Sequence, residues 1–434
     1  MRRMDIAIVG GGLAGSLAAV MLGRAGADVT LIDPHEVYPP DFRCEKLDGS
    51  QIAVLHKTGL APAVFKAASP DDEIVTARGG RIIDRRPHNQ CGILYDDLVN
   101  TVRREIPAGV TVIVGKVTEI ANGPDRQSLT LANGETLSAR LVVLASGLNI
   151  GLRHMLGIER ELLSASHSVS VGFDVSPAGQ ARFPFRALTY YPQSIADRMA
   201  YLSLFPIQSG TRANLFLYRD MEDPLLRMLR TAPHEALLSL MPDLERVTGP
   251  LQVNGFVKIR PVDLCRMRNP LRDGVVLVGD AFATSCPAAG TGTNKVLTDI
   301  ERLCNVHIPR WLLSPGMDSA KIKEFYDDPV KTETDAQAEA KAFFLRSLST
   351  DPGLLWEARR QIRRIGHAAV GALRCARTNV KNAAAPAGEI HAAQDGPIAV
   401  SPSLDMSAMP GGIGTMSDLN AARSRASQRE EARS

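Results

Sequence analysis

A chain of 434 residues with 44% hydrophobic and 22% charged residues has the balance of a folded globular protein, which excludes wholesale disorder. The formal net charge of +3 is too small for a nucleic-acid footprint, so no nucleic-acid partner is expected. No stretch approaches the roughly 18 apolar residues of a membrane span. The six cysteines (Cys44, Cys91, Cys265, Cys286, Cys304, Cys375) form no Cys-x-x-Cys pair and the nine histidines lack ligand spacing, so reduced thiols, a cytoplasmic location and no metal site are expected.

The first element is an apolar strand, Ile6 to Val9, that runs into the glycine cluster Gly10-Gly11-Gly12-Leu13-Ala14-Gly15 and then into an alanine- and leucine-rich helix ending near Gly26. In this arrangement Gly10 permits the turn, Gly12 lets a pyrophosphate approach the backbone, and Gly15 lets helix and strand pack closely. An anion there meets free N–H groups and the positive end of the helix dipole. A second strand, Asp28 to Ile32, delivers Asp33, whose carboxylate is placed to accept hydrogen bonds from an adenosine ribose.

After a polar connection, Arg43 and Lys46 offer cations toward either a cofactor phosphate or the substrate side, or simply a solvated helix start. A helix is expected from Gln51 to His56. Glu73 to Arg85 reads as a hairpin around Gly79-Gly80, and Cys91 to Ile106 has helical spacing. Strands are expected over Val110 to Ile120, Ser128 to Leu131 and Thr136 to Ala145, the last two joined at Asn133-Gly134. The middle third changes character, with strands at Val169 to Val175, Arg186 to Tyr191, Met199 to Phe205 and Ala213 to Tyr218, then a helix pair over Pro224 to Leu240. A mostly antiparallel sheet beside the nucleotide domain is expected, with a cavity between the two.

Val275 to Val278 returns to the pattern of a buried parallel strand and ends in Gly279-Asp280. A loop through Cys286 and Pro287 then reaches Gly290-Thr291-Gly292-Thr293-Asn294, a second helix start with glycine access. From Lys331 to Arg377 the chain is helical in character, with an apolar set that includes Leu354, Leu355, Trp356, Ile362, Ile365 and Val370. Arg359, Arg360, Arg363 and Arg364 make one face basic. Such a helix suits either a membrane surface or a cover over the sheet. The segment 383–434, rich in alanine, serine and glycine, reads as a disordered tail.

Taken together these segments resemble the flavoprotein monooxygenases of the para-hydroxybenzoate hydroxylase fold, a group whose wider relatives include geranylgeranyl reductases and flavin-dependent halogenases. The resemblance covers roughly Asp5 to Asp299. It implies an α/β fold: a Rossmann-like FAD-binding domain (1–73, 91–165 and 266–330) carrying an inserted, mostly antiparallel β-sheet substrate domain (74–90 and 166–265), with C-terminal helices over 331–382. It implies FAD as cofactor, held by Gly10, Gly11, Gly12, Leu13, Ala14, Gly15, Asp33 and Arg43 and, through the family's Gly-Asp motif and following helix start, by Asp280, Pro287, Gly290, Gly292, Thr293 and Asn294, with Asp299 matching a later aspartate. Tyr95 stands where relatives often carry an arginine, so no cofactor contact is carried over to it.

The chemistry implied is a flavin C4a-hydroperoxide that hydroxylates or epoxidises a small apolar or aromatic metabolite with molecular oxygen. A reductase of the geranylgeranyl type, a halogenase and a non-catalytic flavin scaffold are the alternatives, and the halogenase Trp-x-Trp-x-Ile-Pro sequence is absent. Relatives that use NADPH usually carry Ala-Asp-Gly where this chain has Ala145-Ser146-Gly147, although Arg153 still matches the arginine that closes the motif. NADPH, NADH or a separate flavin reductase therefore remain open as electron source. No catalytic base is named. Cys286 is expected to be a small buried filler, and Tyr190, Tyr191 and Tyr218 either line the cavity or, as aromatic residues on sheets usually do, simply pack.

Overall fold

The computed structural model describes residues 2–43 and 45–366. The expectations for Cys44, Val370 and Cys375 and for the segments 367–382 and 383–434 lie outside these residues. In chain order the described elements begin with β1 (Arg2–Val9), α1 (Leu13–Arg24), β2 (Val29–Asp33), β3 (Lys46–Leu47), α2 (Gly49–Lys57), α3 (Ala61–Ala67), β4 (Ser69–Arg78), β5 (Arg81–Gly92) and α4 (Tyr95–Arg104). Then come β6 (Thr111–Val114), β7 (Val117–Ala121), β8 (Gln127–Leu131), β9 (Thr136–Leu144), α5 (Gly151–Met155), β10 (Glu159–Pro177), β11 (Ala187–Tyr191), β12 (Met199–Ile207) and β13 (Gly210–Leu217). The remainder is α6 (Pro224–Thr231), α7 (Pro233–Leu240), α8 (Glu245–Thr248), β14 (Leu251–Arg268), β15 (Val275–Leu277), α9 (Gly292–Arg302), α10 (Ile308–Leu312), α11 (Ser319–Tyr326), α12 (Pro329–Thr350) and a last helix over 354–366.

The apolar strands β1, β2, β9 and β15 form the parallel centre of a seven-stranded sheet of order β6-β2-β1-β9-β8-β7, with β15 on the far side of β9. Their continuous Val, Ile and Leu runs are what burial on both faces requires. Helix α1 is buried from Leu13 through Leu22, which explains its lack of a polar stripe. The second sheet has eight strands in the order β14-β10-β13-β12-β11-β4-β5-β3, antiparallel except where β11 meets β4. One face of it carries Val169, Val171, Phe173, Leu188, Leu202 and Leu215, packed beneath α6, α7 and α8. The opposite face packs Ala200, Tyr218 and Leu264 against Cys286, Ala288, Ala289 and Ala342.

Several expectations shift. The helix expected from Cys91 starts at Tyr95, because Cys91 and Gly92 finish β5 and a side chain on Gly92 would stand 2.0 Å from the Pro206 carbonyl oxygen. The strand expected over Val110 to Ile120 is two strands. Only Gly115 and Lys116 separate β6 from β7, yet these stand at opposite ends of the strand order. The longest element missed is β14, whose Gly255 and Pro261 read as breakers. An edge position tolerates both, since a proline there leaves no ladder bond unmade on its open side. The C-terminal helical region breaks between α12 and 354–366 at Asp351, Pro352 and Gly353.

Candidate functional site

The glycine turn after β1 is built as close packing demands. Gly10 has φ 102°, and a side chain on it would stand 2.5 Å from the Ala145 carbonyl oxygen. A side chain on Gly15 would stand 1.8 Å from the Gly10 carbonyl oxygen, which is what lets α1 lie directly on the turn. Gly12 is different: nothing nearer than the Tyr38 ring and the Tyr95 hydroxyl, each at 3.9 Å, faces its missing side chain. It opens onto a cavity of about 470 Å³.

That cavity is lined by Gly10, Gly12, Leu13, Ala14, Asp33, Arg43 and Asp280, together with Tyr38, Tyr95, Ser146, Asn149 and Val296. Gly11 and Gly15 back the turn and do not line it. Asp33 is buried, and its carboxylate accepts from the Gly11 N–H at 2.6 Å and the His35 N–H at 2.9 Å, while Arg103 pairs with it at 3.0 Å. A carboxylate has about four acceptor sites, so capacity for a ribose hydroxyl remains.

Arg43 and Asp280, 237 residues apart, meet directly: Arg43 Nη1 donates to Asp280 Oδ2 at 2.8 Å while Arg43 Nε donates to Asp41 at 2.5 Å. Burial by itself would lower the Arg43 pKa, but Tyr95, Asp280 and Asp41 outweigh it and hold the guanidinium firmly charged. Asp280 sits in a helical turn after β15. Gly279, with φ 58°, starts that turn, and its N–H donates to Asp299 Oδ2 at 2.9 Å. Asp299 in turn pairs with the buried Lys331 at 3.0 Å, so the later aspartate of the motif shapes the Asp280 turn from behind. Arg153 braces the same turn, donating to the carbonyls of Ala281 at 2.9 Å and Leu148 at 3.2 Å.

Pro287, Gly290, Gly292, Thr293 and Asn294 do not line this cavity. They form a separate wall at the start of α9, which reaches the cavity through Val296. Gly290 has φ 65° and its carbonyl accepts from Gln51 Nε2 at 2.9 Å, while Asn294 Nδ2 donates to Ser50 Oγ at 3.0 Å. Thr291 Oγ1 and Asn294 Oδ1 are buried without partners. The helix start has no side-chain cap and no acidic residue in its first turn. Its free N–H groups suit an anionic group. Two buried orphan oxygens, an uncapped helix start and the open face of Gly12 fit a dinucleotide cofactor.

Sequence reasoning missed Arg103, which donates from Nε and Nη2 to the Gly11 carbonyl at 2.9 and 2.6 Å and from Nη1 to the His35 carbonyl at 2.7 Å. Nothing in its local pattern marks it, because the last turn of a helix is an ordinary place for an arginine. Tyr95, to which no cofactor contact was carried over, is a wall of the cavity, and burial pushes its hydroxyl pKa up. Among the tyrosines, Tyr190 faces the far core and its hydroxyl accepts from the Gly80 N–H at 3.0 Å, so of its two expected roles it has the packing one. Tyr218 lies on the opposite face beside Cys286. Cys286 is fully buried, and burial raises its thiol pKa, as expected of a filler.

A parallel sheet with a glycine-turn helix, a cavity at the carboxyl ends of its strands and a second sheet alongside define a nucleotide-binding flavoprotein. Residues 3–306 match the family model described as FAD binding domain, and the chain belongs to that family. It is 25% identical over 328 residues to 3-demethoxyubiquinol 3-hydroxylase of Escherichia coli, covering 70% of this chain and 79% of the relative. It is 27% identical over 376 residues to kynurenine 3-monooxygenase of Salinispora arenicola, covering 78% of each. The structure of p-nitrophenol 4-monooxygenase from Pseudomonas putida superposes with a TM-score of 0.68 at 19% identity, covering 86% of this chain and 95% of that one, which shows the shared fold. The chain is an FAD-dependent oxidoreductase of the monooxygenase type. Among the described residues, no helix is long and apolar enough to cross a membrane.

Proposed function

We propose that this protein is an FAD-dependent monooxygenase that hydroxylates or epoxidises a small apolar or aromatic metabolite. The observation that carries the reading is the single cavity in which the Gly12 turn and Asp280, far apart in the chain, are brought together with Arg43 between them. In this reading the backbone from Gly10 to Gly15 receives the pyrophosphate and Asp33 the adenosine ribose. Asp280 and Arg43 receive the ribityl chain, and the wall of Pro287, Gly290, Gly292, Thr293 and Asn294 receives the flavin ring. The cofactor, once reduced, supplies the activation of molecular oxygen.

The chain's own part is to bind, orient and keep the site dry. Tyr201, whose hydroxyl donates to the Ala288 carbonyl at 2.9 Å, joins Phe216, Tyr218 and Cys286 in an apolar wall directly against the Pro287 turn. Such a wall excludes water from the reacting face. The division of labour follows the two sheets, the first for cofactor and the second for substrate. Electrons come from NADPH or NADH directly or from a separate flavin reductase. The buried thiols of Cys265, Cys286 and Cys304 support a reducing, cytoplasmic setting.

The relatives' names, a ubiquinol hydroxylase and a kynurenine monooxygenase, support an aromatic or quinol-like substrate. The test is turnover of FAD-loaded protein with a panel of phenols, quinols and alkenes under labelled oxygen gas, with each electron source in turn. Products carrying one labelled oxygen atom support the reading. Saturation of an alkene without label, halogenation in the presence of halide, or no turnover with any donor overturns it.

A further inference from the structure

The last helix, 354–366, packs onto the protein through one side only. Arg360 is buried, donating to the carbonyls of Asp351 at 2.8 Å and Leu348 at 3.3 Å, and Arg364 donates to the Gln193 carbonyl at 3.0 Å. At 3.6 residues per turn, Leu354, Leu355, Ala358, Ile362 and Ile365 fall within one arc of about 100° on the other side. Leu354 is 90% exposed, Leu355 63%, Ile362 65% and Ile365 68%. A contiguous row of large aliphatic side chains left in water on a protein with ample core elsewhere marks an interaction surface rather than a packing remainder.

The charges beside that row select the partner. Of the four arginines of the helix, Arg360 and Arg364 are held on the packed side, which leaves Arg359 and Arg363 against a single acid, Glu357. Glu357 is already engaged, accepting from Arg360 Nε at 3.0 Å and Gln361 Nε2 at 2.9 Å. Arg359 lies over the Trp356 ring at 4.7 Å, and Trp356 packs on the partly exposed Phe344 at 5.5 Å. An exposed aliphatic arc bordered by arginine is the makeup of a helix that lies in the plane of a lipid interface, with the arginine stem on the apolar side and its head among phosphates. A second copy of the chain would bring like-charged rims together.

We propose that the 354–366 face docks this protein on an anionic lipid surface. The surface lies apart from the cofactor cavity, so the proposal stands or falls separately from the flavin reading.

The experiment is flotation of full-length, flavin-loaded protein with vesicles of phosphatidylcholine alone or mixed with phosphatidylglycerol, at low and high salt. Binding is expected to the mixed vesicles and to weaken with salt. The pairs Ile362→Glu with Ile365→Glu, and Arg359→Gln with Arg363→Gln, are each expected to cut partitioning by at least about tenfold, with flavin absorbance unchanged. Protein that stays with the unbound fraction on mixed vesicles overturns the proposal. So do variants that bind undiminished, or a concentration-dependent dimer that Ile362→Glu dissolves, which would give the face to a second copy.

Discussion

At Gly12 the missing side chain is the feature that matters, because the space it leaves belongs to the cavity and not to a packed neighbour. Gly15 contrasts with it: there a side chain meets backbone, and any substitution strikes the fold. Gly12→Val therefore tests the cofactor site with less damage to packing. Asp280→Ala removes the acceptor on the opposite wall and leaves Arg43 its bond to Asp41. Each substitution is expected to reduce bound FAD by about tenfold or more, read as the ratio of flavin to protein absorbance after purification with unchanged far-ultraviolet circular dichroism. Full flavin content in both would overturn the site assignment.

Elements meet through a few buried polar contacts whose charge state follows pH. His167 on β10 is fully buried, with Nε2 at 3.3 Å from the Ala342 carbonyl of α12 and Nδ1 at 3.1 Å from Ser164 Oγ. A carbonyl only accepts, so Nε2 carries the proton and Nδ1 accepts from Ser164, whose oxygen takes a bond from Arg346 Nη1 at 2.9 Å. Burial, aided by the Arg346 charge, pushes the His167 pKa down from 6.5 to about 4. A depressed value in the folded state means that the unfolded chain binds the proton first. The stability from the neutral imidazole is thus complete above about pH 6.5 and lost as pH falls through about 4. Urea midpoints at about pH 7 and about pH 5 should drop less for His167→Gln than for the unmodified chain. Equal drops would remove His167 as the titrating group. The His167 contact ties α12 to the second sheet, and the Asp299–Lys331 pair ties α12 to the Asp280 turn.

Across the whole molecule, the loop that carries Arg43 is fastened to the second sheet. Phe42 lies over Gly172, where a side chain would stand 2.3 Å from its ring, and Glu45 makes two bonds to Arg212, at 2.7 and 3.0 Å, both residues buried. Burial raises the Glu45 pKa against the pull of Arg212, so the pair survives only as a pair. Arg212→Met alone is expected to cost about 3–5 kcal/mol, and adding Glu45→Gln to recover part of it, measured by urea unfolding. A double variant no better than the single would show that the charge left behind is not the source of the loss.

The sequence by itself determined the glycine turn, Asp33, the Asp280 strand end, the glycine-rich start of α9 and the change to antiparallel strands, because backbone conformation and hydrophobic period are local properties that residue type records. Only the tertiary structure decided that Arg43 meets Asp280, that Arg103 locks the Gly11 turn, that Tyr190 turns away from Tyr218, and that Gly255 and Pro261 sit harmlessly in an edge strand. Those outcomes depend on which distant element arrives as neighbour, and a long charged or aromatic side chain carries no local trace of the partner it will find.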